Sequence, residues 1–282
     1  MKKAAAVLSL APVCALLAAC GTTTAPSGTS APPIVLTALS WPVGGETLTY
    51  AMTSKTHLTL ASASSGTTLA NETVQVNGDL VDKIVPSGNG QASVTSTFEN
   101  MEVGQGGGPL QPLSTLNGLG THFDLDKAGH ITNVSYTGLE TLPPSEAQVL
   151  SSLAKQIQTA SQNIVLTGAP TQVTVGQTWN FSHAMTLLGT RFTTQGTATF
   201  EGTQNGVLVV HESAVMKAAG SSTATVRGSG SLTETVGLSA DGHLLDYQTT
   251  IEKYSVTLTE PTTGQAITLT SSEQISISRI RS

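Results

Sequence analysis

Several short arrangements in this chain carry residue types with chemistry to offer. Asp124-x-Asp126-x-x-Gly129 has the opening spacing of a calcium loop, where carboxylates on alternate residues converge on a hard cation. Such a loop also needs an oxygen ligand at its fifth position and a Glu at its twelfth, and here Ala128 and Ser135 stand there. A hairpin turn is therefore expected instead. Ser152-Leu153-Ala154-Lys155 sets a hydroxyl and an amine about one helical turn apart, the spacing of an activated serine, with Ser161-Gln162-Asn163 nearby. Both triplets would lie on one helix and no Lys-Thr-Gly accompanies them, so a solvated polar face is expected. His211-Glu212 lacks the second histidine of a zinc helix, and Gly104-Gln105-Gly106-Gly107-Gly108 runs into Pro109 rather than into a phosphate-binding helix. His130 and His243 each follow a glycine in similar segments and could share a metal only if those segments met; exposed turn side chains are expected. No catalytic residue, no metal site and no cofactor is expected from these patterns.

The N-terminus carries the clearest signal. Lys2 and Lys3 precede an apolar run from Ala4 to Ala19, too short and wrongly flanked for a stable membrane span. The run ends in Leu17-Ala18-Ala19-Cys20-Gly21, which resembles the bacterial lipobox. That resemblance implies a signal peptide over 1–19, a diacylglyceryl group on the Cys20 thiol, cleavage before Cys20 and N-acylation of the new terminus. Gly21 rather than Asp after the cysteine implies the outer membrane in a diderm bacterium. Two or three acyl chains anchor far more firmly than the single chain whose attachment is marginal. Cys14 leaves with the signal, so no cysteine remains for disulfides or thiolate metal sites.

Composition narrows the partners. The 282 residues hold 12 basic and 18 acidic side chains, a formal charge of -6, and losing Lys2 and Lys3 leaves 10 basic residues. No basic stripe exists to neutralise phosphates, which excludes nucleic acid. Only 11% of the chain is charged, while 44 Thr and 30 Ser suit half-buried strands.

Thr22 to Pro33 has no large apolar residue and reads as a flexible tether with about 20 Å of reach. Residues 34–282 read as one β-rich domain. Apolar residues alternate at Ala92, Val94 and Phe98, at Ala224 and Val226, at Ile267 and Leu269, and at Ile275 and Ile277. Val43-Gly44-Gly45-Glu46 recurs loosely as Val175-Gly176-Gln177-Thr178, and Phe123 to Ile131 recurs as Val236 to Leu244, which predicts two similar halves over about 34–140 and 170–282. Between them, Ser145 and Gln148 form a capping box for a helix over about 145–164, whose apolar stripe includes Leu150, Leu153 and Ile157.

The stretch from Val173 to Trp179 (Val-x-Val-Gly-x-x-Trp), following a strand block and a helix, resembles the mark of a family of bacterial envelope lipoproteins of uncharacterised function. A more distant architectural likeness is to the periplasmic lipoprotein-carrier half-barrels, which hold acyl chains. The expected fold is mainly all-β: a long curved antiparallel sheet or half-barrel from two similar halves, with one packed amphipathic helix. The expected function is a membrane-anchored, extracytoplasmic, non-enzymatic lipoprotein binding a lipid or other apolar ligand, with Leu150, Leu153 and Ile157 lining the groove. The alternative is a structural or surface-interaction lipoprotein with no small-molecule ligand. Expected partners are the membrane, through the lipid on Cys20, and the apolar ligand.

Overall fold

A computed structural model describes residues 33–35, 44–88, 90–126, 131–142, 144, 147, 169–187, 190–219, 225–240, 245–259 and 265–280. Almost all of them are strand: β1 (Glu46–Ser62), β2 (Thr68–Gly88), β3 (Gln91–Gln105), β4 (Gln111–Pro112), β5 (Gly120–Leu125), β6 (Ile131–Thr137), β7 (Thr178–Leu187), β8 (Thr190–Gln204), β9 (Val207–Ala219), β10 (Thr225–Ser239), β11 (Leu245–Thr259) and β12 (Ala266–Ile280). The only complete helical element among the described residues is a 3₁₀ turn at Leu139–Thr141. The predicted helix over about 145–164 lies almost wholly outside them.

All twelve strands join one antiparallel sheet in the order β6-β5-β3-β2-β1-β12-β11-β10-β9-β8-β7, with β4 on the flank of β3. The sheet is long and curved, as the alternation predicts, and is not closed into a barrel. Two meanders are fused where β1 pairs with β12, from Thr49↔Ile280 to Ser62↔Ile267. Consecutive β6 and β7 lie at opposite edges, so the chain between them starts at one edge and finishes at the other. Ile34 exchanges two backbone hydrogen bonds of 2.8 Å with Val173, tying the N-terminal end of the domain to the entry of β7.

Local sequence explains the punctuation. Both Val-Gly turns open strands: Gly45 (φ 76°) precedes β1 and Gly176 (φ 81°) sits just before β7. A Cβ on Gly45 would come within 2.7 Å of the Ile84 carbonyl oxygen, so both conformation and space require glycine there. Asn205-Gly206, with positive φ at both residues, makes the tight turn from β8 to β9 that a two-residue hairpin needs. Asp124 lies in β5 and accepts a 2.7 Å hydrogen bond from the Asn133 amide across the β5–β6 hairpin, the turn expected in place of a calcium loop.

Directly opposed residues of antiparallel strands share a face, so alternation sorts the side chains of the whole sheet. One face is largely threonine, serine and charge. The other is core-facing and carries two apolar clusters. Leu48, Tyr50, Met52, Val74, Val76, Ile275 and Ile277 lead the first, joined by Leu116, Leu119 and Leu142 from loops. Trp179, Phe181, Ala198, Phe200, Val210, Leu232 and Val236 lead the second. Trp179 is thus a core residue, as its place at a strand opening suggests. Of β11, only Leu245 packs against these clusters, and it touches both.

Candidate ligand-binding site

The strand between the two clusters is polar where its neighbours are apolar. On the core-facing side one row runs Ser54–Ile275–Thr250–Glu234–Glu212 across β1, β12, β11, β10 and β9. The next runs Thr56–Glu273–Glu252–Leu232–Ala214. Four carboxylates therefore form two directly opposed pairs, Glu212 with Glu234 and Glu252 with Glu273. Glu212, Glu234 and Glu273 are buried, while Glu252 is half-buried and marks the more open end.

Hydroxyls and an amide serve these acids. Glu234 Oε1 accepts hydrogen bonds from Thr250 Oγ1 (2.8 Å) and Gln248 Nε2 (2.5 Å), and Glu273 Oε1 accepts one from Ser54 Oγ (2.9 Å). These bonds favour the charged forms, yet removal from water disfavours them more strongly. Burial pushes both Glu212 and Glu234 well above the ordinary carboxylate range, the neighbouring Glu234 adding to the effect on Glu212. Burial, then Glu273 and Glu234, pushes Glu252 up to about 7, and burial raises Glu273 against the pull of Ser54 and Thr56. Two acids held this close, away from water, hold a proton more readily than free carboxylates do.

Two further polar atoms adjoin the Glu252–Glu273 pair. Thr56 Oγ1 and Ser271 Oγ are buried and neither closes a hydrogen bond. Thr56 lies near enough to Glu273, and Ser271 to Tyr254, to favour the ionised form of each neighbour, but without bonding geometry. Gly230 stands opposite Tyr254, where a Cβ would meet the Lys253 carbonyl oxygen at 2.3 Å, so β10 and β11 can approach only with glycine in that place.

Beyond this polar stretch the same face turns apolar again. Leu60 opposes Leu269, which opposes Val256, and Leu258 opposes Ile267. Here cover thins: Val256 stays buried and Leu269 half-buried, while Leu60 is 37% exposed, Ile267 42% and Leu258 46%. Six residues separate Glu273 from Ile267, about 20 Å along the strand. The face thus presents an open apolar strip ending on half-buried and buried carboxylates.

Most of the residues singled out from sequence are not among the described ones. Cys20, Leu150, Leu153 and Ile157 all lie outside the described residues, as do His130 and His243. His211 and Glu212, dismissed as half of a zinc motif, point to opposite faces; His211 Nδ1 lies 3.2 Å from Thr235 Oγ1. Among the described residues no three His, Cys, Asp or Glu converge to hold a metal ion. The glutamates had a signal: Glu234 sits in register with Leu232 and Val236, and Glu273 with Ile275 and Ile277, each a charge where alternation demands an apolar side chain.

No family model and no curated protein matches the chain. Among solved structures, it resembles lipovitellin, from a structure concerned with lipid–protein interactions, at 12% identity and a TM-score of 0.45, over 86% of this chain but only 26% of lipovitellin. It also resembles OccK2 (OpdF) of Pseudomonas aeruginosa, at 7% identity and a TM-score of 0.25, over 84% of this chain and 99% of that one. A Nostoc punctiforme protein of unknown function from the DUF3598 family shares 9% identity at a TM-score of 0.12, over 79% of this chain and 94% of that one. At these scores the resemblances assign no function to this chain.

Proposed function

We propose that this chain is a lipid-anchored, non-catalytic binding protein of the cell envelope that holds an apolar ligand against the core-facing side of β1, β12 and β11. The observation that carries the binding role is the strip of Leu60, Leu258 and Ile267, exposed on the side of the sheet that otherwise buries its apolar residues. A contiguous apolar surface left open to water costs stability and commonly marks an interaction site. Anchoring rests on the Leu17–Gly21 lipobox, with Cys20 as the acylated residue and 22–33 as the tether. The outer membrane is the proposed destination in a diderm cell, since Gly21 follows the cysteine.

Two measurements test the parts separately. Cys20→Ser should abolish acyl labelling and leave unprocessed precursor; normal processing of that variant would overturn the anchor. An uncharged fluorescent alkyl-chain probe should bind the wild-type chain and be lost on Ile267→Asp combined with Leu258→Asp. A wild-type chain that takes up no apolar probe would favour a purely structural envelope role.

A further inference from the structure

The open strip and the acidic pair that ends it have complementary demands, and together they define a ligand. The following rests on the apolar-ligand reading above and goes further, to the chemistry of the ligand's polar end. We propose that the Glu252–Glu273 end of the acidic row is the head-group site for an amphiphile bearing a protonated amine, whose hydrocarbon chain lies over Leu60, Leu258 and Ile267.

Charge comes first. On the core-facing positions of β1, β2, β9, β10, β11 and β12 the basic side chain among the described residues is Arg279, and it is engaged at 2.5 Å by Glu46. Arg279 lies six residues from Glu273 on β12, about 20 Å along the strand. Lys55, Lys83, Lys217, Arg227 and Lys253 occupy outward-facing positions of the same strands. The four glutamates therefore face one another, with Tyr254 beside them, exposed Glu72 opposite Leu58 at the apolar end, and Asp82, Asp246 and Glu46 near Arg279 at the far end. A cation from outside the sheet would relieve this repulsion, as a carboxylate head-group would not.

Hydrogen bonding comes second. An ammonium has three protons to give and no lone pair. Glu252 and Glu273 supply carboxylate acceptors, and the buried hydroxyl oxygens Thr56 Oγ1 and Ser271 Oγ, which close no bond of their own, supply two more. That these acceptors sit where the apolar strip meets the acids fits an amphiphile better than a free metal ion, for which no three ligands converge among the described residues. Binding of the amine should release protons from the glutamates, so affinity should rise with pH from about 6 to 8, through the raised titration of Glu252.

The test uses the full chain in neutral phosphatidylcholine nanodiscs and two probes of one chain length, a primary alkylamine and the matching alcohol, each with a diazirine at the chain end. Crosslinks are mapped by mass spectrometry to the peptides carrying Leu60, Leu258 and Ile267. The amine should label these peptides at roughly tenfold lower concentration than the alcohol at pH 8, the advantage of about one charge-assisted contact. The advantage of the amine over the alcohol should shrink at pH 5.5 and in Glu252→Gln. Equal labelling by both probes in the wild-type chain would overturn the amine assignment while leaving the apolar site intact. Labelling by neither probe, beyond that of an Ile267→Asp chain, would remove the apolar site and the head-group assignment with it.

Discussion

The two ends of β1, β12 and β11 follow the same alternating pattern and meet opposite fates. At one end Met52, Ile275 and Ile277 are buried in the first apolar cluster, with Ile275 fully covered. At the other end Leu60, Ile267 and Leu258 occupy the same face of the same strands and stay between 37% and 46% exposed. Between them lies the polar interval of Ser54, Thr56, Glu252, Glu273 and Ser271. Period-two patterning decides which way a side chain points, but cover must come from something else. At the buried end Leu116, Leu119 and Leu142 from loops belong to the same cluster.

Substitutions at the two ends should break that symmetry most sharply. Ile275→Ala removes a fully buried side chain, and the cavity should cost about 2–5 kcal/mol in urea unfolding. A cost near that of a surface substitution would mean the first cluster is loosely packed.

Next in size is the effect of charge. Glu212, Glu234, Glu252 and Glu273 all bind protons more tightly in the folded chain than the ordinary carboxylate does. Between the ordinary carboxylate range, near 4.5, and about 7, the folded state therefore holds more protons than the unfolded state. Stability should be greatest below that window and fall as pH rises through it. Glu234→Gln should flatten the decline and raise stability at pH 8 by about 1–3 kcal/mol, because an amide keeps the acceptor for Thr250 without the buried charge. A melting temperature that rises from pH 5 to pH 8 would contradict the burial of these acids.

Smaller again is Ser54→Ala, which removes the 2.9 Å donor to Glu273. It should cost about 1 kcal/mol and push the Glu273 titration higher, a shift visible by carboxyl carbon NMR. Smallest in stability, and largest in contrast, is Ile267→Thr at the open end. It should change unfolding free energy by no more than about 0.5 kcal/mol while weakening binding of an apolar probe. A loss comparable with that of Ile275→Ala would show that the strip is ordinary core.

Much of the architecture was legible in the chain, and the site was not. Alternation at Ala92 and Val94 and at Ile275 and Ile277 marks strands whose apolar members are indeed buried. The same pattern at Ile267 and Leu269 looks identical in sequence, yet Ile267 is exposed. The Val-Gly turns before β1 and β7 could be read because backbone conformation at Gly45 and Gly176 is a local demand. The glutamates escaped attention because each stands alone in its strand, separated from the next by 18 to 22 residues. Their motif exists only across strands, at β-sheet spacing rather than along the chain.

Sequence alone determined what local forces determine: a strand-forming composition, the face on which each side chain lies, and the glycine turns. Tertiary structure decided the rest, because pairing β1 with β12 brings residues more than two hundred positions apart, such as Ser54 and Glu273, into hydrogen-bond contact. The pairing of β9, β10, β11 and β12 set four isolated glutamates side by side in a low-dielectric surface, where mutual repulsion and lost hydration raise their proton affinity. It also settled which apolar residues found cover. Periodicity acts over two residues, whereas desolvation depends on everything that folds back onto the sheet.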